Sequence, residues 1–187
     1  MIGFVNDMKL TAIALLIFSS CNAGALQGSL FRPAVVIALP SKPSNVALAD
    51  LNKDERLDLI VVSEEGRTVE VMFGQQGDVP LRVATGNAAS AQTFRIPEGV
   101  DSPGDIVLGD VNGDGRLDLA WDFHDSYNVT LLLGQANGGF ALAPNSPIVM
   151  KQGQHPHTHG IGLADLNGDG KLDLATVNNA DNDISVA

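Results

Sequence analysis

A nine-residue acidic stretch occurs three times in this chain, and it constrains the fold more than any other feature. The copies are 50–58 (DLNKDERLD), 110–118 (DVNGDGRLD) and 165–173 (DLNGDGKLD). In the last two copies, side-chain oxygens recur at positions one, three, five and nine, with glycine at position six. Carboxylates crowded into one loop repel one another, and a hard cation with about six to eight oxygen ligands removes that repulsion. These two copies are therefore predicted to bind calcium.

The spacing assigns a donor to each part of the coordination shell. Alternate residues of a tight turn can point to one centre, and glycine at position six supplies the positive φ that reverses the chain. A backbone carbonyl at position seven and a carboxylate at position nine complete the shell. The predicted ligands are Asp110, Asn112, Asp114, the Arg116 carbonyl and Asp118 in the second copy, and Asp165, Asn167, Asp169, the Lys171 carbonyl and Asp173 in the third. The alternative for both copies is an Asn-Gly hairpin turn without a metal.

The first copy departs from this pattern, because Lys53 and Glu55 replace its two glycines. Position six must then reach a left-handed conformation at a cost of about 1 kcal/mol or more, or the loop must differ. Calcium binding and a metal-free turn with a solvated acidic face are both open at this loop. The ligands of this weaker site would be Asp50, Asn52, Asp54, the Arg56 carbonyl and Asp58.

The residues that follow each loop predict strands rather than helices. An EF-hand loop ends in a bidentate glutamate at its twelfth position, where this chain has Trp121 or Thr176. The runs 57–62, 117–121 and 172–177 are apolar or alternating, which is typical of β-strands. Each acidic loop is therefore predicted to be the turn of a β-hairpin.

The three loops belong to a longer repeating unit. In each unit, a first strand-like segment (45–49, 105–109 or 160–164) precedes the loop. The second strand follows the loop directly, and a third strand-like segment comes after it (68–74, 128–134 or 183–187). A glycine-rich turn and a fourth strand follow most clearly at 138–143. Four short strands per repeat are typical of a β-propeller blade. The predicted fold is all-β, a partial β-propeller of about three four-stranded blades.

These units resemble the VCBS/FG-GAP repeat family in the acidic loop, the Leu-Asp-Leu strand, the valine-rich third strand, the glycine-rich turn and the following Phe. The resemblance covers nearly all of residues 28–187. It implies a calcium-bearing β-propeller, related in architecture to the head of integrin α-chains, with secretion and a role in extracellular binding or adhesion. The ligand positions of the second and third loops match the family pattern, whereas Lys53 and Glu55 depart from it.

Within this scheme, residues 28–44 supply a fourth strand, 45–100 form blade 1, 101–159 form blade 2 and 160–187 form an incomplete blade 3. Three blades are too few for a closed ring, which has about four to eight. We therefore expect the chain to be a fragment of a longer protein, with further repeats or a partner chain completing the propeller.

The N-terminal residues 1–25 have the parts of a secretory signal peptide. Lys9 precedes an apolar run over 10–18 and small residues over 19–25, and Met8 is an alternative start. Two outcomes are open for the mature chain, 26–187. Cleavage after Ala25 releases a secreted protein, whereas a lipobox ending at Cys21 would anchor it by a lipid to a bacterial outer membrane. Cys21 is the only cysteine, so no internal disulfide can form.

The four histidines define a second candidate metal site, for zinc, copper or iron. His124 falls in the connection between the second and third strands of its unit, and His155, His157 and His159 precede the next unit. Both connections are expected on the face opposite the acidic loops, where alternate histidines of an extended segment point the same way. The alternative is a polar loop with solvated histidines. The neighbouring aromatic residues Trp121 and Tyr127 either stack on a sugar or pack inside a blade.

Composition and motifs favour a binding module over an enzyme. The net charge of −11 argues against nucleic acid as a partner. The chain has no Gly-x-Ser-x-Gly elbow and no cysteine after Cys21, so no catalytic residue is assigned. The predicted function is a secreted, calcium-stabilised module that binds an extracellular protein or glycan. The alternative is a secreted metal- or glycan-handling enzyme that uses the histidine-rich face.

Overall fold

The computed structural model describes residues 34, 36–39, 41–63, 67–76, 91–95 and 103–187, and Ile37–Ala187 form one compact unit. The predicted signal peptide 1–25, the lipidation site Cys21 and the strand-like segment at 28–33 lie outside the described residues. No helix within the described ranges is long and apolar enough to cross a bilayer.

The described residues form three antiparallel sheets, which confirms the predicted all-β class. The first sheet has the order β1 (Pro43–Ala49), β2 (Asp58–Ser63), β3 (Thr68–Met72) and β4 (Ala91–Arg95). The second contains β5 (Pro103–Gly109), β6 (Asp118–Phe123), β7 (Asn128–Gly134) and β8 (Phe140–Leu142), and the short β9 (Ile148–Val149) also pairs with β7. The third has the order β10 (Thr158–Ala164), β11 (Asp173–Asn178) and β12 (Asp183–Val186). A 3-10 turn, Asn179–Asp181, joins β11 to β12.

Each acidic stretch connects the first two strands of a sheet, and the three hairpins share one register. The pair that closes each loop is Ala49 with Asp58, Gly109 with Asp118 or Ala164 with Asp173. Each first strand begins two residues earlier than the sequence predicted and carries a register shift near its start. The ninth loop residue is thus the first residue of the second strand in every hairpin.

Alternation along β6 builds two apolar clusters, one on each face of the second sheet. Leu119, Trp121 and Phe123 pack in one cluster with residues of the first sheet, among them Ile60 and Val69. Ala120 points to the other side and packs in a cluster that includes residues of the third sheet. The second sheet is therefore covered by apolar contacts on both faces, as alternation along a buried strand requires.

The two aromatic residues considered for sugar stacking are buried. Trp121 is fully buried and stacks on Phe123 with ring centroids 5.4 Å apart. Tyr127 is 6% exposed, and its hydroxyl donates a hydrogen bond to Asp181 in the 3-10 turn. Packing, rather than ligand stacking, is therefore the role of both rings.

Asp105 on β5 joins the first strands of all three sheets. Its Oδ1 accepts a hydrogen bond from Asn45 Nδ2 on β1 at 3.0 Å, and its Oδ2 accepts one from the backbone N–H of Gly160 on β10 at 3.0 Å. Asn45, Asp105 and Gly160 each stand five residues before the first aspartate of a loop. Equivalent positions of the three units are therefore linked through one carboxylate.

Replacement of Asp105 by alanine removes the acceptor of both inter-sheet hydrogen bonds and leaves their donors unpaired. We expect the free energy of unfolding to fall by about 1–3 kcal/mol, because that is the usual cost of leaving a donor without its partner. Urea unfolding followed by the fluorescence of Trp121, the only tryptophan, measures the change. Asp105→Asn is the matched control, since it keeps one acceptor oxygen and should lose less. A change within about 0.5 kcal/mol, as at an ordinary surface position, would contradict the prediction.

Candidate metal-binding loops and histidine cluster

In the second acidic loop, side-chain oxygens bind the backbone N–H groups of the same loop. Asp110 Oδ1 and Asn112 Oδ1 both accept from the N–H of Asp114, at 3.0 and 2.9 Å. Asp110 Oδ2 accepts from Gly115 at 2.7 Å, and Asp114 Oδ1 accepts from Arg116 at 2.9 Å. The oxygens of positions one and three therefore converge on one backbone nitrogen. The N–H of Arg116 is also the main reason that the pKa of Asp114 is lowered.

The third loop has the same network. The N–H of Asp169 donates to Asp165 Oδ1 at 3.2 Å and to Asn167 Oδ1 at 2.8 Å, and Gly170 donates to Asp165 Oδ2 at 2.9 Å. Several backbone hydrogen bonds lower the pKa of Asp165, and the one from the N–H of Gly170 has the largest effect. The backbone N–H groups therefore favour the ionised form of Asp114 and Asp165, which is the form that a calcium ligand requires.

The first loop adopts this conformation without its glycines. The N–H of Asp54 donates to Asp50 Oδ1 and Asn52 Oδ1, both at 3.1 Å. Lys53 has φ 61° and Glu55 has φ 65°, close to the 74° and 80° of Gly113 and Gly115 in the second loop. Of the two outcomes left open by the sequence, the left-handed backbone is the one found, so two side chains stand in a conformation that favours glycine.

The aspartate at position nine ties the loop to the third strand. Asp118 is fully buried, and its oxygens accept from the N–H groups of Val111 at 3.0 Å and Gly134 at 2.8 Å. Asp58 makes the same two bonds in the first sheet. Because an ionised carboxylate has about four acceptor positions, lone pairs are left for a cation. This structural role at position nine was not predicted from the sequence.

Arginine at position seven contributes its side chain as well as its backbone. Arg116 Nε donates to the carbonyl of Gly134 at 2.7 Å, and its Nη2 pairs with Asp114 Oδ2. Arg56 makes the equivalent contacts with Gly74 and Asp54. The guanidinium therefore offsets the charge of the position-five carboxylate, although the sequence assigned only the backbone carbonyl of position seven to the site.

The donor set of these loops fits a hard cation. Four side chains in nine residues present amide or carboxylate oxygens, the atoms that calcium prefers. Within the described ranges, no group of three or more His, Cys, Asp or Glu side chains is already arranged around one metal position. The carboxylates instead bind backbone N–H groups and neighbouring arginines. Calcium would therefore compete with hydrogen bonds that already hold the oxygens at the turn.

Three of the four histidines come together at the other end of these strands. The ring centroids of His124 and His159 are 4.4 Å apart, those of His157 and His159 are 4.5 Å apart, and those of His124 and His157 are 6.2 Å apart. The Nε2 atoms of His157 and His159 are separated by 2.9 Å. His155 lies elsewhere, where it assists the Lys151 hydrogen bond in lowering the pKa of Asp181.

Thr158 fixes the segment that carries two of these rings. Its buried hydroxyl is 2.5 Å from the carbonyl of Phe123 and 2.7 Å from that of Ser126, and its N–H donates to the carbonyl of His124 at 3.2 Å. The segment around His157 and His159 is thereby held against the turn that follows β6. Sequence reasoning missed this anchor, because a single threonine between two histidines carries no distinctive signal.

A buried carboxyl group, Asp122, lies beside the histidines. It has no exposed surface, Oδ1 accepts from the N–H of Asp105 at 2.5 Å, and Oδ2 has no hydrogen-bond partner among the described residues. Burial raises its pKa to about 6. A side chain on Gly104 would collide with Asp122 Oδ1 and crowd the His124 ring, so the glycine leaves room for both groups.

Comparisons with protein-family models, with curated proteins and with solved structures found no match. The resemblance to VCBS/FG-GAP repeats therefore stays a prediction from the acidic loops and their spacing.

Replacement of Glu55 by glycine should stabilise the protein, because glycine reaches the observed φ without steric cost. We expect relief of the steric cost to raise the free energy of unfolding by about 1 kcal/mol. Part of this gain is offset, because glycine increases the conformational entropy of the unfolded chain. Urea unfolding in the presence of a chelator measures the change. The reciprocal variant Gly115→Glu places a side chain at the matching position of the second loop and should destabilise by a similar amount. Destabilisation by Glu55→Gly would show that the carboxylate of Glu55 matters more than its backbone.

Proposed function

We propose that this protein is a secreted, calcium-stabilised β-propeller segment that acts as an extracellular binding or adhesion module and has no catalytic activity of its own. The observation that carries the proposal is the shared hydrogen-bond network of the acidic loops. In each of them, the oxygens of positions one and three bind one backbone N–H. Acidic or amide side chains stand at the same four positions in every copy, and their oxygens are the ligands that calcium prefers.

The packing of the sheets supports a propeller. The first strands β1, β5 and β10 lie next to one another in that order, and Asp105 links them. The second sheet packs its two faces against residues of its two neighbours. Antiparallel sheets with inner strands side by side and faces packed together are typical of propeller blades.

Calcium would supply positive charge where the chain concentrates negative charge. Asp110, Asn112, Asp114, the Arg116 carbonyl and Asp118 would hold one ion, and the matching residues from Asp165 to Asp173 would hold another. The first loop, with its charged Lys53 and Glu55, is the weaker candidate. Because each loop joins the first two strands of a sheet, a bound ion would stabilise the hairpin, and Asp118 would extend that effect to β7.

The third sheet offers an edge for an additional strand. β12 is its outer strand in the described part of the chain, and Ile184 and Val186 on it are 67% and 53% exposed. Exposed apolar edges favour pairing with another strand. This supports completion of the propeller by further repeats or by a partner chain. The binding partner proposed for the assembled module is an extracellular protein or a glycan. The net negative charge of this protein disfavours nucleic acid as a partner.

The alternative, a secreted metal- or glycan-handling enzyme, is favoured by one observation. Three imidazoles from two separate connections meet in one place. Against a glycan enzyme, Trp121 and Tyr127 are buried and hold the sheets together rather than a sugar. We therefore prefer the non-catalytic function, and loss of turnover on histidine replacement would be the result that favours the enzyme.

Calcium should raise the melting temperature of the chelator-treated protein in a concentration-dependent way, because the ion binds only the folded form. At about one hundred times the dissociation constant, the gain is about 2.7 kcal/mol per site. Differential scanning calorimetry measures the shift. Asp114→Ala and Asp169→Ala should each abolish the contribution of one loop, and the double variant should lose most of the rise.

Glu55→Gln is the matched control for these variants. It removes one negative charge at position six of an acidic loop, where no side-chain ligand is expected. Its melting temperature should rise with calcium almost as in the unmodified protein. A wild-type melting temperature that does not respond to millimolar calcium would overturn the proposal.

A further inference from the structure

We propose that His124, His157 and His159 form a transition-metal site that binds a divalent late first-row ion of the zinc class. The site lies at the end of the strands away from the acidic loops. His124 follows the end of β6, and His159 stands at the start of β10, whereas the loops occupy the opposite ends of these strands. The proposal shares no residue with the proposed calcium sites and does not depend on them.

The distances within the cluster fit a shared metal. Two nitrogens bound to one ion at about 2.0–2.1 Å are about 2.8–3.4 Å apart for octahedral to tetrahedral angles. The Nε2 atoms of His157 and His159 are 2.9 Å apart, and the ring of His124 lies 4.4 Å from that of His159. A hydrogen bond between the two Nε2 atoms fits the same distance, and a metal would replace that bond.

The third ligand would come into place through reorientation of the side chains. The three rings do not yet surround one metal position, since the centroids of His124 and His157 are 6.2 Å apart. His157 and His159 are exposed and His124 is half-buried, and the χ2 torsion of histidine has a broad energy well. Turning the rings toward a common ion would need rotation about χ1 as well as χ2, and the exposure of His157 and His159 leaves room for it.

The backbone beneath the rings is already ordered. Thr158 lies between two of the histidines and is anchored through its hydroxyl to the carbonyls of Phe123 and Ser126. Its N–H binds the carbonyl of His124 itself. The two connections that supply the ligands are thus joined before any metal binds, so the entropic cost of assembling the site is small.

The chemistry of the donors selects the ion. Neutral imidazole nitrogens suit zinc, copper and nickel, whereas calcium prefers oxygen. The fully buried Asp122 lies close enough to His159 for their charges to interact, and its Oδ2 has no partner in the described part of the chain. A carboxylate near metal-bound imidazoles strengthens the site from outside the coordination shell. Three protein ligands would leave one position for water or for an atom of a binding partner.

The decisive test compares His124 with His155. The full chain, freed of metals and kept in calcium so that the acidic loops are saturated, is titrated with zinc chloride by isothermal titration calorimetry. We expect one tight zinc equivalent in the wild type, a loss of affinity of about tenfold or more in His124→Ala and His159→Ala, and a change of less than about twofold in His155→Ala. His155 is the matched control, because it lies two residues from His157 but outside the cluster.

The opposite result would overturn the proposal. If His155→Ala weakens zinc binding as much as His159→Ala while His124→Ala has no effect, the 155–159 segment alone chelates the ion. Equal affinities in all variants would show only adventitious binding. Electron paramagnetic resonance of the copper-loaded protein provides a second readout, because the nitrogen hyperfine pattern should lose one coupled nitrogen in His124→Ala. An unchanged pattern would also contradict the site.

Discussion

The fold depends on carboxylate oxygens that accept backbone N–H groups within each hairpin. Asp118 and Asp58 are buried charges, and a buried carboxylate is tolerated only where hydrogen bonds replace its hydration. Each of them binds one N–H at the start of its loop and one at or just after the end of the third strand. The acidic stretch therefore helps to align three strands at once, and a change in the loop conformation would break the hydrogen bonds that compensate for the burial of that carboxylate.

The same principle operates between the sheets. Asp105 accepts from the first and third sheets, and its own N–H is bound by the buried Asp122. Apolar packing on both faces of β6 adds buried area but does little to fix the alignment of the sheets, because hydrophobic contact is not directional. The carboxylates supply the specific alignment. An acidic composition thus serves the interior of this fold as well as its surface.

The sequence predicted the local features well, because they follow from the pattern of nearby residues. The strands around each loop were predicted from apolar or alternating runs, and the hairpins from the position of each loop between two such runs. Two long-range contacts were not predicted. Neither the pairing of β9 with β7 nor the bond between Asp118 and Gly134 leaves a local signal, since each joins segments that are at least sixteen residues apart.

The first loop shows why a motif mismatch can mislead. Lys53 and Glu55 break the glycine pattern, yet the backbone keeps the left-handed conformation, because the bonds to Asp50 and Asn52 outweigh a cost of about 1 kcal/mol per residue. For the histidines, the sequence predicted that the two connections that carry them lie on the same face. It could not separate His155 from its neighbours, because that separation depends on how Thr158 is anchored.

The two ends of the strands therefore offer different ligand chemistry for different mechanical purposes. The oxygen-rich loops lie within single hairpins, so an ion there would stabilise each sheet internally. The imidazoles come from the connection that follows β6 and from the start of β10, so an ion there would hold the second sheet to the third. Because the sites share no residues and are separated by the length of the strands, their contributions to stability should be nearly additive. Hard oxygen and imidazole donors select different ions, so calcium and a transition metal could act on the same sheets without competing.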